Sequence, residues 1–131
     1  MNELTLEWLQ KAEGDLATVG REVRARRRPN YDAACFHAQQ AAEKYLKAIL
    51  QEHDVHVPRT HNLIELLERC LPLDASLEYT RELLLVLDRY SARYRYPGES
   101  AEKSEAQRAY RLIRDVRKVV CSRLGFHFEA Q

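Results

Sequence analysis

The chain predicts an all-α fold: an antiparallel up-and-down bundle of four long helices plus one short helix. Three observations predict it. Apolar residues recur at three- and four-residue steps through most of the sequence. Helix breakers and caps punctuate these stretches at Pro29-Asn30, Pro58, Leu71-Pro72, Pro97-Gly98 and Gly125. No run alternates with period two, so no strand is expected. The 131 residues form one domain, long enough for a single core without disulfides or metal.

The first helix is expected from about Glu3 into the mid-twenties. Trp8 or Leu9, Ala12, Leu16, Val19 and Val23 make its apolar stripe, with Glu7, Lys11, Glu13 and Asp15 outside. It ends in the arginine-rich run from Arg24 to Arg28, where cations meet the negative end of the helix dipole. The second helix runs from about Tyr31 to His53. Its Ala34, Ala38, Ala41, Tyr45 and Ala48 share one face, and the small residues let a neighbouring helix come close. Gln40, Lys44 and Lys47 repeat on another face, beside Gln39 and Glu43. Ordinary core formation does not require those polar types in that order.

The segment from His53 to Thr60 turns the chain. Asn62 with Glu65 reads as a capping pair for a short third helix, whose buried side is Leu63, Leu66, Leu67 and Cys70. A fourth, long helix is expected from near Asp74 or Ser76, carrying Leu77, Leu84, Leu87, Tyr90 and Tyr94. Leu83, Leu85 and Val86 widen its apolar surface, which suits a bundle centre or a homodimer interface. Glu99 to Lys103 is a polar connection. Ser104 with Gln107 repeats the capping pattern, and Ala106, Ala109 or Tyr110, Ile113, Val116 and Val120 face inward on the last helix. Gly125 occupies the position of a left-handed cap, and Phe126 to Gln131 form a tail.

Composition narrows the function classes. A formal net charge of +1 with 31% charged residues points overall to neither nucleic acid nor membrane. Cys35, Cys70 and Cys121 are odd in number and widely separated; Cys35 and Cys121 are expected as buried thiols. The N-terminus lacks a signal peptide's apolar run, and no stretch approaches the roughly twenty apolar residues of a membrane span, so a cytoplasmic location is expected. His53, His56 and His61 fit no zinc spacing, and neither metal nor cofactor is expected. A glycine-rich phosphate loop, a serine–histidine–aspartate set and a close acid pair are all missing, so the chain itself does not carry out nucleotidyl transfer. Arg108, Arg111, Arg114, Arg117 and Lys118 face only Glu105 and Asp115 on the last helix. With the run at Arg24 to Arg28 they are either a basic surface for RNA or an acidic partner, or a solvated helix face.

Three segments carry a family resemblance. They are Phe36 to Leu50 (FHAQQAAEKYLKAIL), Pro58-Arg59-Thr60-His61-Asn62-Leu63, and Arg93-Tyr94-Arg95-Tyr96-Pro97. Together they resemble the HEPN family, small all-α domains found with nucleotidyltransferases and in toxin–antitoxin systems. The resemblance implies a homodimeric binding module that partners a separately encoded minimal nucleotidyltransferase. It also implies that Gln40, Lys44 and Lys47 meet Arg93, Arg95 and Tyr96 across a shared cleft. That cleft would contact nucleotide, RNA phosphate or an acidic face of the partner, since arginine grips phosphate bidentately and tyrosine stacks a base. Alternatively, Arg93 pairs with Glu43 or another acid and locks the helices.

HEPN ribonucleases place an arginine and then, after a gap of four to six intervening residues, a histidine. None of His37, His53, His56, His61 or His127 has an arginine at that distance. The nearest case is Arg123 with His127, one residue short and interrupted by Gly125. The reading therefore leans away from an enzyme. Two alternatives stay open: a metal-independent ribonuclease with a non-standard site drawn from Arg123, His127 and His61, and a purely structural interaction module.

Overall fold

The computed structural model describes residues 1–127. Three helices of 22 residues dominate: α1 (Glu3–Arg24), α2 (Tyr31–Glu52) and α5 (Lys103–Leu124). Two eight-residue helices, α3 (Leu63–Cys70) and α4 (Arg81–Asp88), lie between α2 and α5. No strand occurs among the described residues.

Local chemistry explains most boundaries. The side chains of Asn2, Asn30 and Asn62 accept the backbone N–H groups of Thr5, Ala33 and Glu65, satisfying donors that the first helical turn leaves orphaned. At the other end of α5, Gly125 adopts φ 66° and ψ 30°. Phe126 N–H then reaches back to the Cys121 carbonyl at 2.9 Å, which closes a Schellman turn. The Ser104–Gln107 capping pattern does not form. The helix already begins at Lys103, which puts Ser104 inside its first turn, and no side chain caps it. The expected tail lies partly outside the described residues.

The expected long fourth helix is also corrected, so three helices are long and two are short. Residues Ala75–Thr80 form a tighter 3-10 turn, opened by Asp74, whose carboxylate accepts the Ser76 N–H. The chain tightens again at Arg89–Ser91 and leaves the helix at Ala92, where φ is −135°. Leu77, Thr80, Leu84, Leu87 and Tyr90 are all buried. The steps from Leu77 to Thr80 and from Leu84 through Leu87 to Tyr90 are three residues, a spacing that 3-10 and α geometry share. Tyr94 falls beyond the helix, half-buried, with its ring 6.2 Å from that of Tyr90. Leu85 remains exposed.

The core centres on α2, which buries thirteen of its 22 residues against α1, α3, α4 and α5. Leu9, Ala12, Leu16 and Val19 of α1 and Ala106, Ala109, Ile113, Val116 and Val120 of α5 close over it. Of the two candidates near the start of α1, Leu9 is the core residue and Trp8 is half-buried. All three cysteines are buried free thiols. Burial pushes Cys35 and Cys70 up to about 12 and Cys121 up to about 11, so they stay protonated and unreactive at neutral pH. Among the described residues no helix is long and apolar enough to cross a membrane.

Glu13 ties the three long helices together. Its carboxylate accepts the Tyr45 hydroxyl of α2 and a bidentate pair from Arg117 of α5, at 2.7 and 2.9 Å. Burial pushes the Tyr45 hydroxyl well above its ordinary pKa, and the Glu13 carboxylate adds to that. The expectation that Glu13 and Asp15 point outward is corrected: both carboxylates turn to partners on other helices. Glu13→Gln should lower stability by about 2–4 kcal/mol, measured by denaturant unfolding, because it weakens a partly buried charge-assisted pair.

Hydrogen bonds from Ser76 and Arg123 hold the Asp74 carboxyl below its usual range. A depressed carboxyl contributes stability above its unfolded pKa and loses it as pH falls through the folded value. The melting temperature of Asp74→Asn should therefore fall below wild type at neutral pH. In a pH series that gap should close below the carboxylate range.

Candidate functional site

The polar side of α2 is engaged inside the fold. Lys47 and Glu43, one helical turn apart, are 5% and 4% exposed and bonded at 3.0 Å. The Lys47 ammonium also lies 5.5 Å from the Trp8 ring centroid, a favourable cation–π distance. The second oxygen of Glu43 meets His61 Nδ1 at 2.8 Å. Gln39 Nε2 donates to the His61 carbonyl at 2.9 Å, and Gln40 Nε2 donates to Gln39 Oε1 at 2.7 Å. One relay thus runs from α1 through α2 to the turn before α3. Lys44 bonds Asp15 of α1 at 2.5 Å, and the other oxygen of Asp15 meets His37 Nδ1 at 2.8 Å. No buried side-chain nitrogen or oxygen among the described residues lacks a partner.

The arginine–tyrosine segment lies beyond α4. Arg93 places its guanidinium 5.3 Å from the Tyr94 ring centroid and lines an acidic hollow with Glu99, Glu102 and Glu105. Arg95 lines a neighbouring hollow of about 330 Å³ with Phe36, His37, Tyr90 and Tyr94. Asp32 adds one carboxylate to that wall, its Oδ1 accepting the Ala101 N–H at 2.6 Å. The Tyr90 hydroxyl donates to Glu105, and burial raises its pKa strongly. Tyr96 is 72% exposed.

The structure brings Arg95 to Phe36 and His37, and it does not bring Lys44 or Lys47 there. At 1.5 Å per residue, Gln40 lies about 6 Å along α2 from Phe36, Lys44 about 12 Å and Lys47 about 16 Å. Both lysines are drawn to acids that were assigned elsewhere, Asp15 and Glu43. The alternative pairing of Arg93 with Glu43 is absent as well, because Lys47 and His61 occupy Glu43.

Arg123 and His127 are likewise separated. Arg123 Nε bonds Asp74 at 2.6 Å, whereas His127 lines a hollow with Arg111, Arg114 and Lys118. His61, the third ribonuclease candidate, has its Nδ1 on Glu43. No group of three or more His, Cys, Asp or Glu among the described residues is arranged to hold a metal ion.

Sequence reasoning missed Phe36, His37 and Asp15. A signal existed: His37 and Lys44 are seven residues apart and share a face, which calls for a common acid on the helix packed against it. Lys47→Ala removes the cation beside the buried Glu43 carboxylate and leaves it with His61. It should cost about 3–5 kcal/mol, a loss that a thermal melt reads directly.

No curated protein matches the chain. Among solved structures it is similar to the crystal structure of TT1696 from Thermus thermophilus, with 31% sequence identity and a TM-score of 0.76. The likeness covers 93% of this chain and 98% of that one. A family model described as HEPN domain matches residues 5–124. With the helical architecture and nearly the whole length accounted for, the chain belongs to the HEPN domain family.

Proposed function

We propose that the protein is a HEPN-type binding module that contacts nucleotide or RNA phosphate through Arg93, Arg95 and Tyr96, with Phe36, His37 and Gln40 beside them. In this reading it works as a homodimer and forms one half of a toxin–antitoxin-like pair with a minimal nucleotidyltransferase. One observation carries the choice of residues. Arg95 lines a hollow walled by Phe36, Tyr90 and Tyr94, whereas Lys44 and Lys47 are neutralised within the fold. A guanidinium beside aromatic faces suits a phosphate with an attached base. Exposed Leu85 and Tyr79, near the turn into α4, support a dimer contact on that side. Arg95→Ala and Tyr96→Ala should weaken nucleotide or RNA retention about tenfold or more while leaving the melting temperature within a degree or two of wild type. Equal binding by wild type and both variants would sink the assignment of this hollow.

A second reading, metal-independent RNA cleavage, has one observation in its favour. His37, held by Asp15 through Nδ1, lines the same hollow as Arg95. An oriented imidazole can serve as acid or base, and an arginine can stabilise the phosphate charge. The binding reading expects no cleavage of an RNA oligonucleotide by purified protein. Cleavage abolished by His37→Ala, with the fold retained, would put the enzyme reading first.

A further inference from the structure

The long face of α5 gathers cations that the fold does not use. Seven of its residues are Lys or Arg, against Glu105 and Asp115. Arg117 is committed to Glu13 and Arg123 to Asp74. Arg108, Arg111, Arg114 and Lys118 have no ion pair among the described residues and stand exposed. Arg111, Arg114 and Lys118 follow one another at three- and four-residue steps, on one face spanning about 10 Å. They line a hollow of about 620 Å³ together with Ser122 and His127. Asp115 contributes the one carboxylate in that wall among the described residues.

α1 extends this face. It runs antiparallel beside α5, with Glu13 against Arg117 and Arg24 against Tyr110. Tyr110 sits between two guanidinium groups. The Arg114 carbon lies 5.2 Å from its ring centroid, and Arg24 Nη1 donates to its hydroxyl at 3.4 Å. Gly20 leaves room beside this contact: a Cβ there would stand 2.9 Å from Arg24 Nη1 and 3.0 Å from the Tyr110 oxygen. The fold thus gathers two like charges around one ring. Such an arrangement carries Coulomb repulsion that a bound polyanion would relieve.

We infer that the α1–α5 face formed by Arg24, Arg111, Arg114 and Lys118 tracks the phosphate backbone of a nucleic acid, separately from the Arg95 hollow. The cations follow the helix axis on exposed positions, an arrangement suited to contacts with successive phosphates, so binding is electrostatic and insensitive to sequence. Tyr110 and His127 add aromatic surface beside the track.

The test is a salt titration of the full-length protein with a short mixed-sequence RNA and a DNA duplex of equal length. Wild type should lose affinity steeply as salt rises. Arg111→Glu/Lys118→Glu, which removes no packing contact, should bind roughly tenfold or more weakly and show a salt slope shallower by about one per removed cation contact. Arg59→Glu/Arg69→Glu, a charge-matched pair at exposed positions away from this face, should leave both affinity and slope at wild-type values. Wild-type salt dependence in Arg111→Glu/Lys118→Glu would overturn the inference, and so would a wild-type protein that binds neither probe. An equal loss in the Arg59→Glu/Arg69→Glu control would also overturn it. Weaker binding in Arg95→Ala beside an Arg111→Glu/Lys118→Glu variant that binds like wild type would overturn it while supporting the hollow of the proposed function. Retention of the RNA with no affinity for the duplex would restrict the ligand to the single strand and leave the face assigned.

Discussion

The architecture rests on the position of α2, which is enclosed by neighbours along most of its length. A helix so placed must satisfy its polar side chains internally, because an unpaired buried charge costs several kcal/mol. Asp15 and Glu13 of α1 and His61 of the turn before α3 supply those partners. Each bond also fixes one neighbouring element against α2. The polar pattern of the family helix is therefore an assembly device in this chain. Lys44 reaches Asp15 of α1, and Lys47 pairs with Glu43 of its own helix beside the Trp8 ring of α1.

That constraint decides where function can reside. With Lys44 and Lys47 engaged, the cations available to anionic ligands lie at the arginine–tyrosine turn and along α5. The two places differ in kind. Arg95 shares a hollow of about 330 Å³ with aromatic rings, fit for one small group. The α5 face carries exposed cations at successive turns along one helix, fit for an extended polyanion. A module with both could hold a specific moiety at one end and a non-specific strand along its side.

Much of the fold was legible in the sequence. The first two helix boundaries, the Asn62 cap and the Gly125 terminus follow from capping chemistry and fall close to where they were expected. The break-up of the fourth helix was not legible, because the three-residue steps from Leu77 to Thr80 and from Leu84 through Leu87 to Tyr90 suit 3-10 and α geometry alike. For the site, composition identified the right residue types, but charge partners across helices are tertiary facts. Glu13 and Asp15 look like ordinary solvated acids on α1 until α5 and α2 come alongside. His37 was passed over for the same reason: only its bond to Asp15 and its place beside Arg95 give it meaning.

The central claim is a division of labour: the lysines of α2 hold the fold, and the arginine–tyrosine turn holds the ligand. The most direct test measures melting temperature and nucleotide or RNA affinity side by side for Lys47→Met and Arg95→Ala. The account predicts a lower melting temperature for Lys47→Met, with binding intact below its melting point. It predicts an unchanged melting temperature and weakened binding for Arg95→Ala. The reverse pattern, in which Lys47→Met melts like wild type and loses the ligand, would contradict it.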